Sequence, residues 1–271
     1  MASSEIPPVS TPIISAAGLR VGFNGREVLH GLDFDIHQGE TVVILGGSGS
    51  GKSTMLRTLV GLQKPSSGQV RIKGVDIGRA TAREADAVRK RLGIAFQGGA
   101  LIGSMTVGEN IALPLIEHTT LEPSTIEVMV RIKLEQVGLS GFEHYNPSQL
   151  SGGMKKRAAF ARAMALDPEI LFFDEPSAGL DPITAAGIDE LILSLKKAYS
   201  VAMVVVTHEL TSAFMIADRM ILLDRGHIAA NGTVDEVRGS QHPRVRQFLD
   251  RIPDATQDDE VDQMRIFTEG I

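Results

Sequence analysis

The chain has 271 residues, of which 43% are apolar, and this length and composition suit one large α/β domain or two small ones. A formal net charge of −6, without a dense cluster of Lys and Arg, argues against the basic surface that binds DNA or RNA, so we expect no nucleic-acid partner. There is no cysteine for a disulfide and no apolar run of roughly 18 residues for a membrane span.

The N-terminal region contains a predicted leader and then strands. Residues 1–12 are rich in Ser and Pro, lack a secretory-signal pattern, and are expected to be a flexible leader. Further on, Leu32, Phe34 and Ile36 alternate with polar residues, which predicts an antiparallel sheet ahead of the first parallel strand. Phe23 could stack on a purine base, and packing in the core explains it equally well.

A glycine-rich loop, residues 46–53, lies between an apolar strand at 42–45 and a helix predicted over 54–62. It matches the phosphate-loop pattern G-x-x-x-x-G-K-[ST] in the context that the pattern requires. Its glycines let backbone N–H groups point toward a polyphosphate. Lys52 is expected to reach the β- and γ-phosphates, and the Ser53 hydroxyl to ligate Mg²⁺. The predicted phosphate contacts are Gly46, Gly47, Ser48, Gly49, Ser50, Gly51, Lys52, Ser53 and Thr54.

The middle of the chain changes from strands to helices. Gln97 follows a short strand predicted at 94–96, so it is expected at the carboxyl edge of the sheet, where ligands and metals bind in α/β proteins. Residues 98–160 then read as an inserted helical subdomain, with amphipathic helices at 107–116 and 125–137.

A second candidate anion site precedes the helix that begins near residue 154. Ser151, Gly152 and Gly153 stand before this helix, and residues 155–157 are all basic. Cations in a first helical turn are disfavoured by the helix dipole, so a bound polyanion nearby would relieve that cost. A solvated basic face is the alternative interpretation.

The remaining candidate residues stand at strand ends and in one turn. The apolar run 170–173 ends in Asp174, predicted to hold the Mg²⁺ hydration shell, and Glu175, predicted to orient or deprotonate the attacking water. Asp181 is expected to cap a helix that begins with Pro182. His208 ends another buried strand and could contact a γ-phosphate or the attacking water.

These motifs, in this order, resemble the nucleotide-binding ATPase of ABC transporters over roughly residues 13–237. The resemblance implies an α/β fold of the ABC-type phosphate-loop class: a mostly parallel sheet core, an antiparallel N-terminal subdomain and an inserted helical subdomain. It implies ATP and Mg²⁺ as ligands, and a head-to-tail homodimer with two ATP molecules between the copies. We therefore divide the chain into the leader, an ATPase domain at 13–239 and a C-terminal extension at 240–271.

The resemblance also implies roles for individual residues. Phe23 resembles the adenine-stacking position, and Gln97 the metal-binding and coupling glutamine. In trans, Ser151, Gly152 and Gly153 would contact the ATP held by the partner. Asp181 resembles the turn that crosses the dimer. The implied catalytic residues are Glu175, His208 and Lys52, and the implied metal-binding residues are Ser53, Gln97 and Asp174.

A subfamily is indicated by the stretches 96–102, 104–107 and 151–154, and late in the chain by 243–250. They resemble the ATPases of Mla/Mce-type systems, which move phospholipids between bacterial membranes. The resemblance implies integral-membrane permease partners, an Mce-type lipid-binding partner and a location on the cytoplasmic face of the inner membrane. Two departures from the commonest ABC pattern are Phe23, where tyrosine is frequent, and Met154, where glutamine usually stands.

Three alternatives remain open. The chain could be the ATPase of an importer for amino acids, metal or another small solute. It could be an ABC ATPase that acts on nucleic acid or ribosomes, although its negative charge argues against this. A nucleotide sensor without hydrolysis conflicts with the acid pair Asp174 and Glu175.

In the C-terminal extension, the short apolar stretch 264–267 is either part of a frayed tail or an arm that packs on the partner.

Overall fold

The computed structural model describes residues 11–23 and 25–253. Most of the predicted leader and all of the predicted arm at 264–267 lie outside the described residues. Within them the strands are β1 (Ile14–Phe23), β2 (Arg26–Ile36), β3 (Thr41–Gly46), β4 (Ser67–Ile72), β5 (Val75–Asp76), β6 (Leu92–Ala95), β7 (Ile170–Asp174), β8 (Ala202–Val206), β9 (Arg219–Asp224) and β10 (His227–Thr233). The α-helices in the same ranges are α1 (Lys52–Leu59), α2 (Ala82–Arg89), α3 (Val107–His118), α4 (Pro123–Gln136), α5 (Gly152–Ala163), α6 (Pro182–Ala198), α7 (Leu210–Ile216), α8 (Val234–Gly239) and α9 (Pro243–Leu249).

An antiparallel sheet forms the N-terminal part of the fold. Its strand order across the described residues is β2-β1-β4-β5, and Ile14 of β1 lies opposite Ile36 on one side and Ile72 on the other. Leu32 and Phe34 are buried, as their alternation with polar residues predicts.

A larger sheet forms the centre, with the order β10-β9-β3-β8-β7-β6 over the same residues. Neighbours from β9 to β6 run parallel, and β10 is antiparallel to β9. Both faces of this sheet are covered. On β3, for example, Val43 and Leu45 enter the core shared with the helices, whereas Val42 and Ile44 enter the core shared with α1 and the antiparallel sheet. Burial on both faces explains why the central strands are continuous apolar runs.

The helices α3, α4 and α5 lie in the chain between β6 and β7 and pack on one another. A capping box begins α3: the Glu109 backbone N–H donates to the Thr106 hydroxyl over 3.1 Å, and the Glu109 carboxylate accepts from the Thr106 N–H over 2.7 Å. The predicted fold class is therefore confirmed, while the subdomain boundaries at 98–160 stay a prediction. No helix among residues 11–23 and 25–253 is long and apolar enough to cross a bilayer.

Candidate active site

The parallel strands bring most of the predicted site residues to one edge of the sheet. Ile44 of β3 and Asp174 of β7 both lie beside Val206 at the end of β8, and Gly46 lies beside Leu223 of β9. The phosphate loop, the acid pair and His208 therefore leave neighbouring strands at the same carboxyl edge, where ligands bind in open α/β sheets.

The phosphate loop needs glycine for steric reasons that the structure specifies. A Cβ on Gly46 would lie 2.4 Å from the carbonyl oxygen of Leu223. Gly51 caps α1 with a φ of 107°. A Cβ on Gly51 would lie 2.6 Å from Cδ2 of Leu29. The loop and the start of α1 enclose a cleft of about 180 Å³. Such a cleft at a helix N-terminus suits a phosphate group.

Lys52 is the first residue of α1, two positions before the predicted start of that helix. Its Nζ donates to the carbonyl oxygens of Gly46 over 2.7 Å and Gly47 over 2.9 Å. Burial lowers the pKa of Lys52 from its ordinary 10.5, and the nearby carboxylates of Glu175 and Asp174 oppose that shift. The loop thus holds a lysine ammonium directly beside its own backbone, where it can meet phosphate oxygens.

The residues predicted to hold Mg²⁺ differ in burial. Ser53 is exposed at the start of α1, and Asp174 is half-buried at the end of β7. Burial, and then the neighbouring Glu175 charge, raise the pKa of Asp174 above its ordinary 3.8, whereas the charges of Arg57, Lys156 and Lys52 lower it. In residues 11–23 and 25–253 no group of three His, Cys, Asp or Glu residues forms a metal site. One carboxylate and one hydroxyl fit Mg²⁺, which completes its shell with substrate phosphates and water.

Glu175 is held in an unusual backbone conformation. Its φ of 48° is left-handed, and its backbone N–H donates to the carbonyl of Val206 over 2.8 Å. The residue is only 9% exposed. His208 Nδ1 lies 2.9 Å from one carboxylate oxygen of Glu175, and the Thr207 hydroxyl donates to the other over 3.3 Å. The end of β8 therefore fixes both oxygens of this carboxylate.

The structure corrects the interpretation of the basic residues at the start of α5. Lys156 is buried, and its ammonium donates to the backbone carbonyls of Gln97 and, over 2.9 Å, of Glu175. Arg157 donates to the carbonyls of Val137 and Gly187, each over 3.0 Å. Main-chain oxygens therefore bind these two cations, so the solvated-face alternative is wrong for them. A polyanion near the start of α5 stays a prediction. Gln97 itself is exposed where the chain leaves β6.

Residues 151–153 are the N-cap and the first two residues of α5, which begins two residues before its predicted start near residue 154, and they pack against the start of α6. Ser151 caps α5 by accepting from the N–H of Met154 over 3.2 Å. A Cβ on Gly153 would lie 2.5 Å from Cγ2 of Thr184. Thr184 in turn donates its hydroxyl to Asp181, which caps α6 as predicted. Within the described chain, no hydrogen bond joins residues 151–153 to the phosphate loop at 46–53. The contact of residues 151–153 with ATP held by a partner copy stays a prediction.

Phe23 ends β1 opposite Arg26, and it is 41% exposed. The ring therefore does not belong to the buried core, and its stacking on adenine stays a prediction. Thr207 and Lys156 are the site residues without an assigned role in the sequence. The position of Thr207 directly before His208 is a signal for it, whereas Lys156 looks like any other member of a basic run.

Comparison with known proteins finds ABC transporters and transport ATP-binding proteins as relatives. Residues 29–178 match the family model of the ABC transporter. The probable ribonucleotide transport ATP-binding protein mkl of Mycobacterium leprae is 41% identical over 236 residues, which cover 87% of this chain and 68% of that protein. The intermembrane phospholipid transport system ATP-binding protein MlaF of Escherichia coli K12 is 41% identical over 229 residues, or 84% of this chain and 85% of MlaF.

Solved structures agree with these relatives. The dimeric post-hydrolysis structure of the ATP-binding cassette MJ0796 with ADP and Pi superposes with a TM-score of 0.74 at 31% identity, over 82% of this chain and 98% of that one. The structure of cbiO1 from Clostridium perfringens gives a TM-score of 0.79 at 28% identity, over 89% of this chain and 97% of that one.

Proposed function

Because the chain belongs to the ABC transporter family, in which it is an ATP-binding and ATP-hydrolysing subunit with ATP and Mg²⁺ as ligands, we propose that its hydrolysis of ATP drives phospholipid movement between bacterial membranes. The 41% identity to MlaF, over most of both chains, is the single observation that carries this cargo. The motor chemistry rests on the residues gathered at the carboxyl edge of the sheet.

In the proposed mechanism, the phosphate loop and Lys52 bind the β- and γ-phosphates. Ser53, Asp174 and Gln97 would hold Mg²⁺, which would neutralise phosphate charge when bound. Glu175 accepts the proton of the attacking water as the general base. The support for this role is its burial and the two contacts, from His208 and Thr207, that orient its carboxylate.

The proposed assembly is a homodimer in which ATP lies between two copies. The similarity to dimeric cassette structures supports it. Each copy would offer Ser151, Gly152 and Gly153 to the phosphates bound by its partner. The N-terminus of α5 is suited to that task, because Ser151 and Gly152 are exposed there and an anion is favoured at a helix N-terminus.

The proposed permease contact is a groove of about 570 Å³ beside the edge strand β6. Its walls come partly from α2, α3 and α5, with apolar side chains such as Leu92 and Phe96 and basic ones such as Arg89 and Arg162. Phe96 directly precedes Gln97, so a movement of Gln97 would be transmitted to a permease loop bound in this groove. Binding to a permease would hold the chain at the cytoplasmic face of the inner membrane.

A second cargo class deserves a test, because the name of the mycobacterial relative specifies ribonucleotide transport. Small-solute transport uses the same motor chemistry, and the cargo in this architecture contacts other subunits. The geometry of the ATPase site is therefore compatible with either cargo.

The test is capture of the Glu175→Gln chain from its native membranes with ATP, followed by identification of bound proteins and lipids. We expect a permease, an Mce-type lipid-binding protein and enriched phospholipid. A permease with a solute-binding protein and no lipid enrichment would favour the small-solute alternative. Capture of no membrane protein would contradict the proposed coupling to a permease.

The capture has a matched control on the chain itself. Phe96→Glu adds a charge inside the groove, whereas Ile132→Glu adds one on α4 at a similarly exposed apolar residue, 45% against 36% exposed. We expect the permease to be lost only from the Phe96→Glu chain. Equal loss from both variants would argue that the groove is not the contact.

A further inference from the structure

Two parts of the catalytic site meet at one buried cation. Lys156, on the second turn of α5, is 8% exposed, and its ammonium donates to the backbone carbonyls of Gln97 and Glu175. Gln97 leaves β6 and Glu175 leaves β7, so this side chain bridges the ends of two adjacent strands. A lysine ammonium has three donors and no acceptor, which suits it to bind several carbonyl oxygens at once.

A buried ammonium is retained at a cost in solvation, which is offset by polar partners and opposite charge. Burial lowers the pKa of Lys156 from its ordinary 10.5, and the nearby carboxylates of Asp174 and Glu175 oppose that shift. The carbonyl it binds on Glu175 belongs to the residue whose left-handed φ of 48° sets the direction of its side chain. Fixing this carbonyl therefore helps to fix the carboxylate.

The same helix also holds the loop that follows Gln97. Arg162 donates to the carbonyls of Gly99 over 3.0 Å and Ala100 over 2.7 Å. Lys156 and Arg162 thus attach α5 to the loop at separate points, and Lys156 also reaches Glu175. Gly153 lies three residues before Lys156, which places the two on the same face of α5.

We propose that Lys156 is a positioning residue that fixes the backbones of Gln97 and Glu175 relative to each other and to the N-terminus of α5 at residues 151–153. This positioning role rests on the proposed role of Glu175 as general base. The proposed role of Lys156 involves no contact with phosphate. Its effect on hydrolysis comes through the direction of the Glu175 carboxylate and the placement of Gln97.

The first test is the Lys156→Met chain, which keeps most of the aliphatic side chain and loses the donors. We expect kcat for ATP hydrolysis to fall about 10- to 100-fold, because a displacement of about 1 Å in a catalytic group has this effect. The Kd for ATP should stay within about twofold of that of the unmodified chain. Lys156→Arg should recover part of kcat, since it keeps the charge and N–H donors.

Arg157→Met is the matched control, because Arg157 lies on the same helix and also binds two carbonyls, but away from Gln97 and Glu175. Thermal unfolding of both variants reports the general effect of removing a cation from α5. We expect the kcat of Arg157→Met to stay near that of the unmodified chain. An equal fall of kcat in both variants would overturn the proposal.

A double-mutant cycle separates this inference from the proposed function. Adding Lys156→Met to the Glu175→Gln chain should cause little further loss, since a residue that acts through Glu175 has nothing left to position. Fully additive losses would overturn the positioning role. If Glu175→Gln alone kept its turnover, the assignment of the base would fail; if it behaved as expected while Lys156→Met turned over normally, only this inference would fail.

Discussion

At the scale of single residues, Lys52 shows how the loop presents a charge. Its ammonium is bound by the carbonyls of Gly46 and Gly47, inside the loop that is expected to receive phosphate. We predict that Lys52→Ala weakens ATP binding about 10- to 100-fold, because hydrogen bonds to charged groups contribute about 1.5–3 kcal/mol. Isothermal titration with Mg-ATP measures this.

Lys64→Ala is the control for that measurement, since Lys64 is an exposed lysine beyond the end of α1. Its affinity for ATP should match that of the unmodified chain. If Lys52→Ala also bound ATP normally, the ammonium would not contact the phosphates.

Asp174 yields a prediction about stability and pH. Its pKa is raised above 3.8, first by burial and then by Glu175, so ionisation costs more in the folded chain than in the unfolded one. Folding stability is therefore lost as pH rises from 3.8 through the raised pKa, and it stays lost above it. Asp174→Asn avoids this loss, so its unfolding temperature at pH 7.5 without nucleotide should be higher, although hydrolysis should fall.

Thermal unfolding at several pH values measures the difference between the Asp174→Asn and unmodified chains. The difference should narrow as the pH approaches 3.8, where the carboxyl group of the unmodified chain gains its proton. A lower unfolding temperature for Asp174→Asn at pH 7.5 would mean that the attraction of Lys52, Lys156 and Arg57 outweighs burial.

At the scale of elements, the N-terminus of α5 packs closely against α6. A Cβ on Gly153 would lie 2.5 Å from Cγ2 of Thr184, whose hydroxyl is bound by Asp181. We predict that Gly153→Ala lowers the free energy of unfolding by about 1–3 kcal/mol, the usual effect of overpacking. Urea denaturation measures this effect.

The rescue variant is Gly153→Ala with Thr184→Ser, because serine lacks the obstructing Cγ2 and keeps the hydroxyl that binds Asp181. The double variant should recover most of the lost stability, with Thr184→Ser alone close to the unmodified chain. Absence of recovery would show that α5 and α6 do not conflict through this contact.

Periodicity and motif spacing predict the elements well, because strand ends and helix starts depend on local sequence. The strand before Glu175, the cap at Asp181 and the alternation around Phe34 all follow from nearby residues. The contacts of Lys156 and Arg157 do not, since their carbonyl partners lie 19 to 59 residues away. A basic run has the same appearance whether solvent, phosphate or distant backbone binds it.

At the scale of the whole molecule, sheet topology brings the distant motifs together. The parallel strand β8 lies between β3 and β7, although Gly46, Asp174 and Val206 are far apart in sequence. Sequence order alone predicts that each motif follows a strand, and the strand order then makes them one site. The trans contacts of Ser151 and the permease contact involve other chains, so they remain proposals.

Glu175 is the proposed general base of this ATPase. The most direct measurement is single-turnover phosphate release by the Glu175→Gln chain, with ATP affinity measured in parallel and Glu190→Gln, an exposed glutamate of α6, as the control. We expect normal ATP affinity with turnover reduced roughly 10²- to 10⁴-fold, the usual contribution of a general base, and no change for the control. Near-normal phosphate release by Glu175→Gln would contradict the proposed role.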